Sequence, residues 1–236
     1  MTLAASLVNS GVKGLARLIC RVHDQPLARV PSRGPLILAA NHVNFLDAPI
    51  IVTHLQPRAV TALVKEETWD SPLMSYLFNI WEGIPIRRGE ADLQAFQKAL
   101  QALEEGKILG VSPEGTRSGT GVLGKGHPGV VLLALRSGAP ILPLVYYGGE
   151  RFHHNIRRLR RTDFFIKVGN PFTLRPVPSP ISREVRQRMV DEIMFQMAAL
   201  LPPTYRGVYS DLEAATQDYL VFAPGVESNL PPPPPR

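Results

Sequence analysis

Cys20 is the only cysteine in 236 residues, so the chain can make no intramolecular disulfide and nothing in it calls for an oxidising compartment. Long hydrophobic runs are also missing. The longer ones, such as residues 35–40 and 141–147, fall far short of the roughly 20 residues that a membrane-spanning helix requires, so no transmembrane helix is expected. The first 20 residues carry no early basic region ahead of an apolar stretch, and no signal peptide is read there. Aromatics make up 7% and do not interleave with the basic residues; with zinc-finger spacing and basic-region heptads also missing, a nucleic-acid partner is set aside. No internal repeat is visible.

What is present is a hydrophobic content of 44%, enough for one core, and 26 basic residues against 20 acidic. The net charge of +6 and pI of 9.7 suit a partner that carries phosphate, such as an anionic membrane or a phosphorylated substrate. Residues 3–22 form an amphipathic helical pattern, with Leu3, Leu7, Val8, Val12, Leu15, Leu18 and Ile19 apolar and Lys13, Arg17 and Arg21 cationic. That pattern fits a helix lying on an anionic membrane and equally one packed on the core. We therefore expect an N-terminal amphipathic membrane-associating helix over 1–29, one domain over 30–223, and a disordered proline-rich tail over 224–236.

Between residues 35 and 200 short β-prone runs alternate with helical patterns. Strands are expected at 36–40, 60–64, 84–86, 108–111, 141–147 and 164–168, and helices near 46–56, 72–81, 90–104, 127–137 and 182–200. The alternation predicts an α/β fold, a largely parallel central sheet flanked by helices. Over 90–104, Leu93, Phe96, Leu100 and Leu103 recur at helical spacing, with Gly106 as the stop.

Side chains at the C-terminal ends of parallel strands face the crevice where ligands bind, and the chemistry-bearing residues gather there. His42 follows the first expected strand and Asp47 lies five residues on. If the chain turns between them, the carboxylate fixes the imidazole tautomer and leaves the other nitrogen to act as a general base. The same pair also fits an ordinary histidine followed by a helix cap. After the strand at 108–111 come Glu114, Gly115, Thr116 and Arg117, and the stretch from Gly115 to Gly126 holds five glycines and Lys125. Freed backbone N–H groups and two cations there make a plausible phosphate cradle, in which Glu114 orients Arg117 or binds a neutral hydroxyl. Arg87 and Arg88 end a short strand, one of them expected to face the site, and Lys65 ends another. Two further stretches are ambiguous: residues 69–81 suit core packing or an acyl tunnel, and the arginine-rich run 151–161 suits a membrane face or a solvated loop.

Four segments in this order resemble the glycerolipid acyltransferase family of 1-acylglycerol-3-phosphate acyltransferases. They are the His-x4-Asp box at His42 and Asp47, the Pro-Ile-x-Arg box at 85–88, Pro-Glu-Gly-Thr-Arg at 113–117 and Ala-Pro-Ile-Leu-Pro at 139–143. The resemblance implies an α/β acyltransferase domain in which His42 is the catalytic base and Asp47 its orienting partner. By the same likeness Arg88, Glu114 and Gly115 bind the acceptor, and the fourth box supports the acyl chain or the fold. It further implies acyl transfer from acyl-CoA or acyl carrier protein to the free hydroxyl of a lysophospholipid, 1-acylglycerol-3-phosphate first, without a cofactor. Another lyso-lipid acceptor, or thioester hydrolysis, is the alternative. For the oxyanion, backbone N–H groups at the start of the helix after Asp47, or Asn44, are the expected donors. The expected location is peripheral or monotopic, at the cytoplasmic face of an anionic membrane.

Overall fold

Successive residues of Leu36–Ala40 point to opposite sides: Ile37 and Ala39 join one hydrophobic cluster, Leu36 and Leu38 another, and all four are buried. This is the signature of a strand covered on both faces, and helices lie on each side of it. The computed structural model describes residues 3–87 and 92–232. In chain order its elements are α1 (Leu3–Ile19), β1 (Cys20–His23), β2 (Leu36–Ala40), α2 (Asp47–His54), β3 (Val60–Lys65), α3 (Pro72–Ile80), β4 (Ile84–Ile86), α4 (Leu93–Glu104) and β5 (Ile108–Val111). After these come α5 (Gly129–Ser137), β6 (Ile141–Tyr147), α6 (Phe152–Ile156), β7 (Thr162–Val168), β8 (Thr173–Leu174), α7 (Arg183–Leu200) and β9 (Leu220–Val221).

The main sheet has seven strands in the order β1-β7-β6-β2-β5-β3-β4. All neighbours run parallel except β6 and β7, so the expected largely parallel α/β sheet is what the chain forms. One face carries α1, α2 and α3, the other α4, α5 and α7. The strands β8 and β9 form a separate two-stranded ribbon that was not anticipated.

Residues 1–29 are not a unit apart from the sheet. The helical pattern expected to run to 22 stops at Ile19, and Cys20–His23 pairs in parallel with β7 as the edge strand of the main sheet. Ala16 and Cys20 are buried in the core, and the indole Nε1 of Trp81 donates to Asn9 Oδ1 at 2.8 Å, both residues being buried. Yet Leu3, Leu7, Leu15 and Leu18 stay exposed. At 100° per residue these four fall within about 120° of one face, opposite Asn9 and Ala16. The helix therefore packs on the core and keeps a second apolar face.

In α4, Asp92 caps the N-terminus by accepting from Ala95 N at 3.0 Å, and Gly106 ends the segment at φ +75°. Glu90, in the expected start, lies outside the described residues. Leu93 is exposed, and Ala95, Ala99, Ala102 and Leu103 make the buried face, because small side chains let this helix approach the sheet closely. Of the stretch 69–81, Leu77, Phe78 and Trp81 are core residues, whereas Leu73 and Tyr76 are exposed.

The tail is anchored for part of its length. Gln196, buried on α7, accepts through Oε1 from Asn229 N at 2.8 Å and Asn229 Nδ2 at 2.9 Å, and donates through Nε2 to Ser228 Oγ at 3.0 Å. Asn229 Oδ1 also accepts from Asn170 N at 2.6 Å. The expected disorder from 224 does not hold for these residues.

Candidate active site

Where β2 and β6 end, Asn41 spans the gap. Its Nδ2 donates to the carbonyl of Tyr146 and its Oδ1 accepts from Tyr146 N, each at 2.9 Å. The next residue, His42, is held from both sides of its main chain: its N–H donates to Glu114 Oε1 at 3.0 Å, and its carbonyl accepts from Ser118 N at 2.8 Å. Asn44 Oδ1 accepts from Leu46 N at 2.9 Å, turning the chain so that Asp47, in the first turn of α2, returns beneath the imidazole.

Asp47 Oδ2 then takes three donors: His42 Nδ1 at 2.7 Å, Val43 N at 2.7 Å and Asn44 N at 2.8 Å. An ionised carboxylate only accepts, so Nδ1 carries the proton and Nε2 keeps its lone pair. Asp47 is 2% exposed, and burial pushes its carboxyl above the ordinary 3.8 despite the opposing pull of His42 and the two N–H groups. The imidazole is 20% exposed and reaches the surface. Beneath it Tyr146 is buried; that burial first, then the charges of Asp47 and Glu114, holds its phenolic proton in place.

Glu114 does not orient Arg117. Its two oxygens accept from backbone N–H groups, His42 at 3.0 Å and Gly124 at 2.8 Å, and burial raises its carboxyl above the usual range. It braces the main chain of the base. The glycine loop also differs from the expected cradle. Gly115 N donates to Ser112 O, Gly119 N to Val43 O, Gly121 N to Ser118 Oγ, Gly124 N to Glu114 and Gly126 N to the Tyr209 hydroxyl. All five glycine N–H groups are thus used to pin the loop, and none is left for phosphate.

Of the cations among the described residues, Arg117 alone reaches the base: its Nε donates to His42 Nε2 at 3.3 Å. Thr116 is exposed beside it, and Lys125 is exposed further along the same loop. Lys65 pairs with Glu67 at 3.3 Å at the end of β3, and Arg87 sits near Asp92 at the end of β4. Those strands stand two and three places from β2, about 10 and 14 Å at ordinary strand spacing, so sharing a sheet end does not bring these residues to His42. Arg88 lies outside the described residues. Asn44 is also committed elsewhere, since its amide donates to Gly149 O at 2.7 Å and its main-chain N–H to Asp47. As an oxyanion donor it is therefore already engaged.

Beside the base a cavity of about 290 Å³ is lined by Val43, Asn44, Phe45, Arg117, Glu150 and His153, among others. The sequence does not mark Glu150 for the site and shows His153 only within the arginine-rich run 151–161, because the reversal after β6 that delivers them depends on the pairing of distant strands. A second hollow of about 300 Å³ lies between α3, β4 and α4 and contains none of the groups around His42.

Residues 21–147 match the family model described as acyltransferase. A 1-acyl-sn-glycerol-3-phosphate acyltransferase of Limnanthes alba is 35% identical over 48% of this chain and 41% of its own. An N-acylphosphatidylethanolamine synthase of Arabidopsis thaliana is 27% identical over 85% of this chain and 77% of its own. The chain spans about half the length, or less, of several 1-acyl-sn-glycerol-3-phosphate acyltransferases that it matches. In fold it is similar to the crystal structure of the 1-acyl-sn-glycerophosphate acyltransferase PlsC from Thermotoga maritima, with a TM-score of 0.57 at 22% identity, covering 80% of this chain and 78% of that one.

Proposed function

The chain belongs to the acyltransferase family, and from that premise we propose that it moves a fatty acyl group from acyl-CoA or acyl carrier protein to the free hydroxyl of 1-acylglycerol-3-phosphate, giving phosphatidic acid. One observation carries the reading: the imidazole of His42 is braced at Nδ1 by Asp47 at 2.7 Å, and its Nε2 meets Arg117, which lines the neighbouring cavity. Nε2 takes the proton of the acceptor hydroxyl as that oxygen attacks the thioester carbonyl. The C–S bond breaks, and the departing thiolate receives the proton from the imidazolium. Asp47 holds the tautomer and offsets the positive charge while it lasts. The acyl group goes directly to the acceptor, because Cys20 is fully buried and its thiol is pushed up to about 11. Arg117 is the group in place for the acceptor's phosphate.

Labelled acyl-CoA and lysophosphatidic acid test this directly. The expected result is labelled phosphatidic acid from the wild type and a loss of about 10²–10⁴-fold in His42→Ala. Undiminished transfer by that variant would falsify the role of His42. A second reading, acylation of a different lipid acceptor, is favoured by the likeness to the Arabidopsis thaliana synthase, which covers most of both chains. A panel of lyso-acceptors run with one donor separates the two.

Among the described residues no helix is long and apolar enough to cross a membrane. The exposed leucines of α1 suit peripheral binding instead. Arg161 donates to the carbonyl of Cys20 at 2.8 Å, which brings the turn with exposed Arg157, Arg158, Leu159 and Arg160 close to the end of α1. Apolar side chains beside a cluster of arginines fit an anionic lipid surface. Replacing Leu7 and Leu18 by Asp should weaken sedimentation with phosphatidylglycerol vesicles, and unchanged sedimentation would remove this face from the reading.

A further inference from the structure

Arg117 occupies the one nitrogen that the reaction needs. His42 Nδ1 is committed to Asp47, so Nε2 is the lone pair that must take the acceptor's proton, and Arg117 Nε–H donates to it at 3.3 Å. An imidazole lone pair has a single direction in the ring plane. An attacking hydroxyl must sit about 2.6–3.2 Å from the same atom, and two donors cannot both align with it.

The rest of the guanidinium is uncommitted. Among the described residues Arg117 makes no ion pair: Glu114 is spent on the N–H groups of His42 and Gly124, and Glu150, across the cavity, accepts from the Tyr205 hydroxyl at 2.8 Å. Arg117 is exposed and lines the cavity, while its loop is fixed on either side by Gly115 N to Ser112 O, Ser118 N to His42 O and Gly119 N to Val43 O. Its side chain can therefore swing without moving the main chain that carries the base.

We propose that Arg117 is a latch on the catalytic base. It caps His42 Nε2 until a phosphate monoester in the cavity draws the guanidinium into a bidentate contact and frees the lone pair for the hydroxyl of the same acceptor. This rests on the acyltransfer reading above and adds to it that phosphate does more than hold the acceptor. Its arrival makes the base available, so an acceptor without phosphate, or a water molecule beside a bound thioester, meets a capped nitrogen. Arg117 is a positioning residue in this scheme, and it determines specificity by controlling when His42 acts.

Two measurements decide it. In protein labelled with ¹⁵N-histidine, the His42 Nε2 resonance, assigned by its loss in His42→Ala, is expected to move downfield in Arg117→Ala as the lone pair is uncapped. Inorganic phosphite should shift the wild-type resonance toward that position and leave the variant's in place. A resonance indifferent to Arg117→Ala overturns the latch, and this holds whether or not lysophosphatidic acid proves to be the acceptor.

The second measurement uses 1-monoacylglycerol, the acceptor stripped of phosphate. An arginine that only binds phosphate predicts equal turnover of it by wild type and Arg117→Ala. The latch predicts a rise of about three- to tenfold in the variant, the worth of one hydrogen bond, together with a fall on lysophosphatidic acid. Equal or lower monoacylglycerol turnover in the variant overturns the latch. Failure of the wild type to acylate lysophosphatidic acid would instead count against the acceptor assignment, leaving the resonance experiment to judge Arg117.

Discussion

The side-chain amide of Asn41 pairs with the main chain of Tyr146 as a peptide group would, donating to its carbonyl and accepting from its N–H at 2.9 Å each. It extends the ladder between β2 and β6 by one rung at the level where the strands part, immediately before His42. Asn41→Ala should leave buried backbone groups of Tyr146 without partners, at a cost of about 2–4 kcal/mol in urea denaturation. It should also lower kcat/KM by about tenfold or more, since the frame of the base loosens. Full activity with reduced stability would show that the rung does not position His42.

For Asp47→Asn the expected outcome divides activity from stability. Transfer should fall by about 10²–10⁴-fold, because a neutral amide does not offset the imidazolium. Burial raises the Asp47 carboxyl above 3.8, so between its unfolded and folded values the native state holds more protons than the unfolded chain. Its contribution to stability is therefore complete below 3.8 and is lost as pH rises through the folded value. The Asn variant has no such group, and its denaturation midpoint relative to wild type should improve between pH 4 and pH 7. A relative midpoint that moves the other way contradicts this.

Gly148, at φ +90°, turns the chain between β6 and the cavity wall, and a Cβ there would meet the carbonyl oxygen of Asp163 on β7. Both the left-handed backbone and the contact oppose any side chain. Gly148→Ala should lose about 2–4 kcal/mol by chemical denaturation, whereas Gly129→Ala, with open space around it, should change little.

The thiol of Cys20 is sealed beneath α1, and burial raises it to about 11 with Arg161 pulling the other way. At pH 8 the native protein should release no chromophore from a disulfide reagent over minutes, and the denatured chain should release one equivalent. Prompt labelling of the native state would mean that α1 lifts from the sheet.

The parts of this molecule that were legible in the sequence are those set by neighbours along the chain. The bounds of β2, β4, β5 and β6 match the apolar runs, and the His42–Asp47 pair is visible because one turn joins its members. β1 was hidden because the helical pattern of α1 continues through Cys20 and only its pairing with β7, some 140 residues away, makes an edge strand of it. Glu114 was misassigned for a related reason: side-chain chemistry suggested Arg117, but its actual partners are main-chain N–H groups that sequence does not display. Arg87 and Lys65 share the correct end of the sheet with His42, and strand order, invisible locally, decides that they stand apart from it.

The Gln196–Asn229 fastening bears on where the chain can be shortened. A cut at residue 223, ahead of the proline-rich segment, would strip a buried amide on α7 of its donors and leave the main chain of Asn170 without its cap. A cut after Leu230 keeps every one of those contacts. For crystallisation or for attaching a reporter, the useful end of this protein therefore lies several residues beyond where its composition ceases to look foldable.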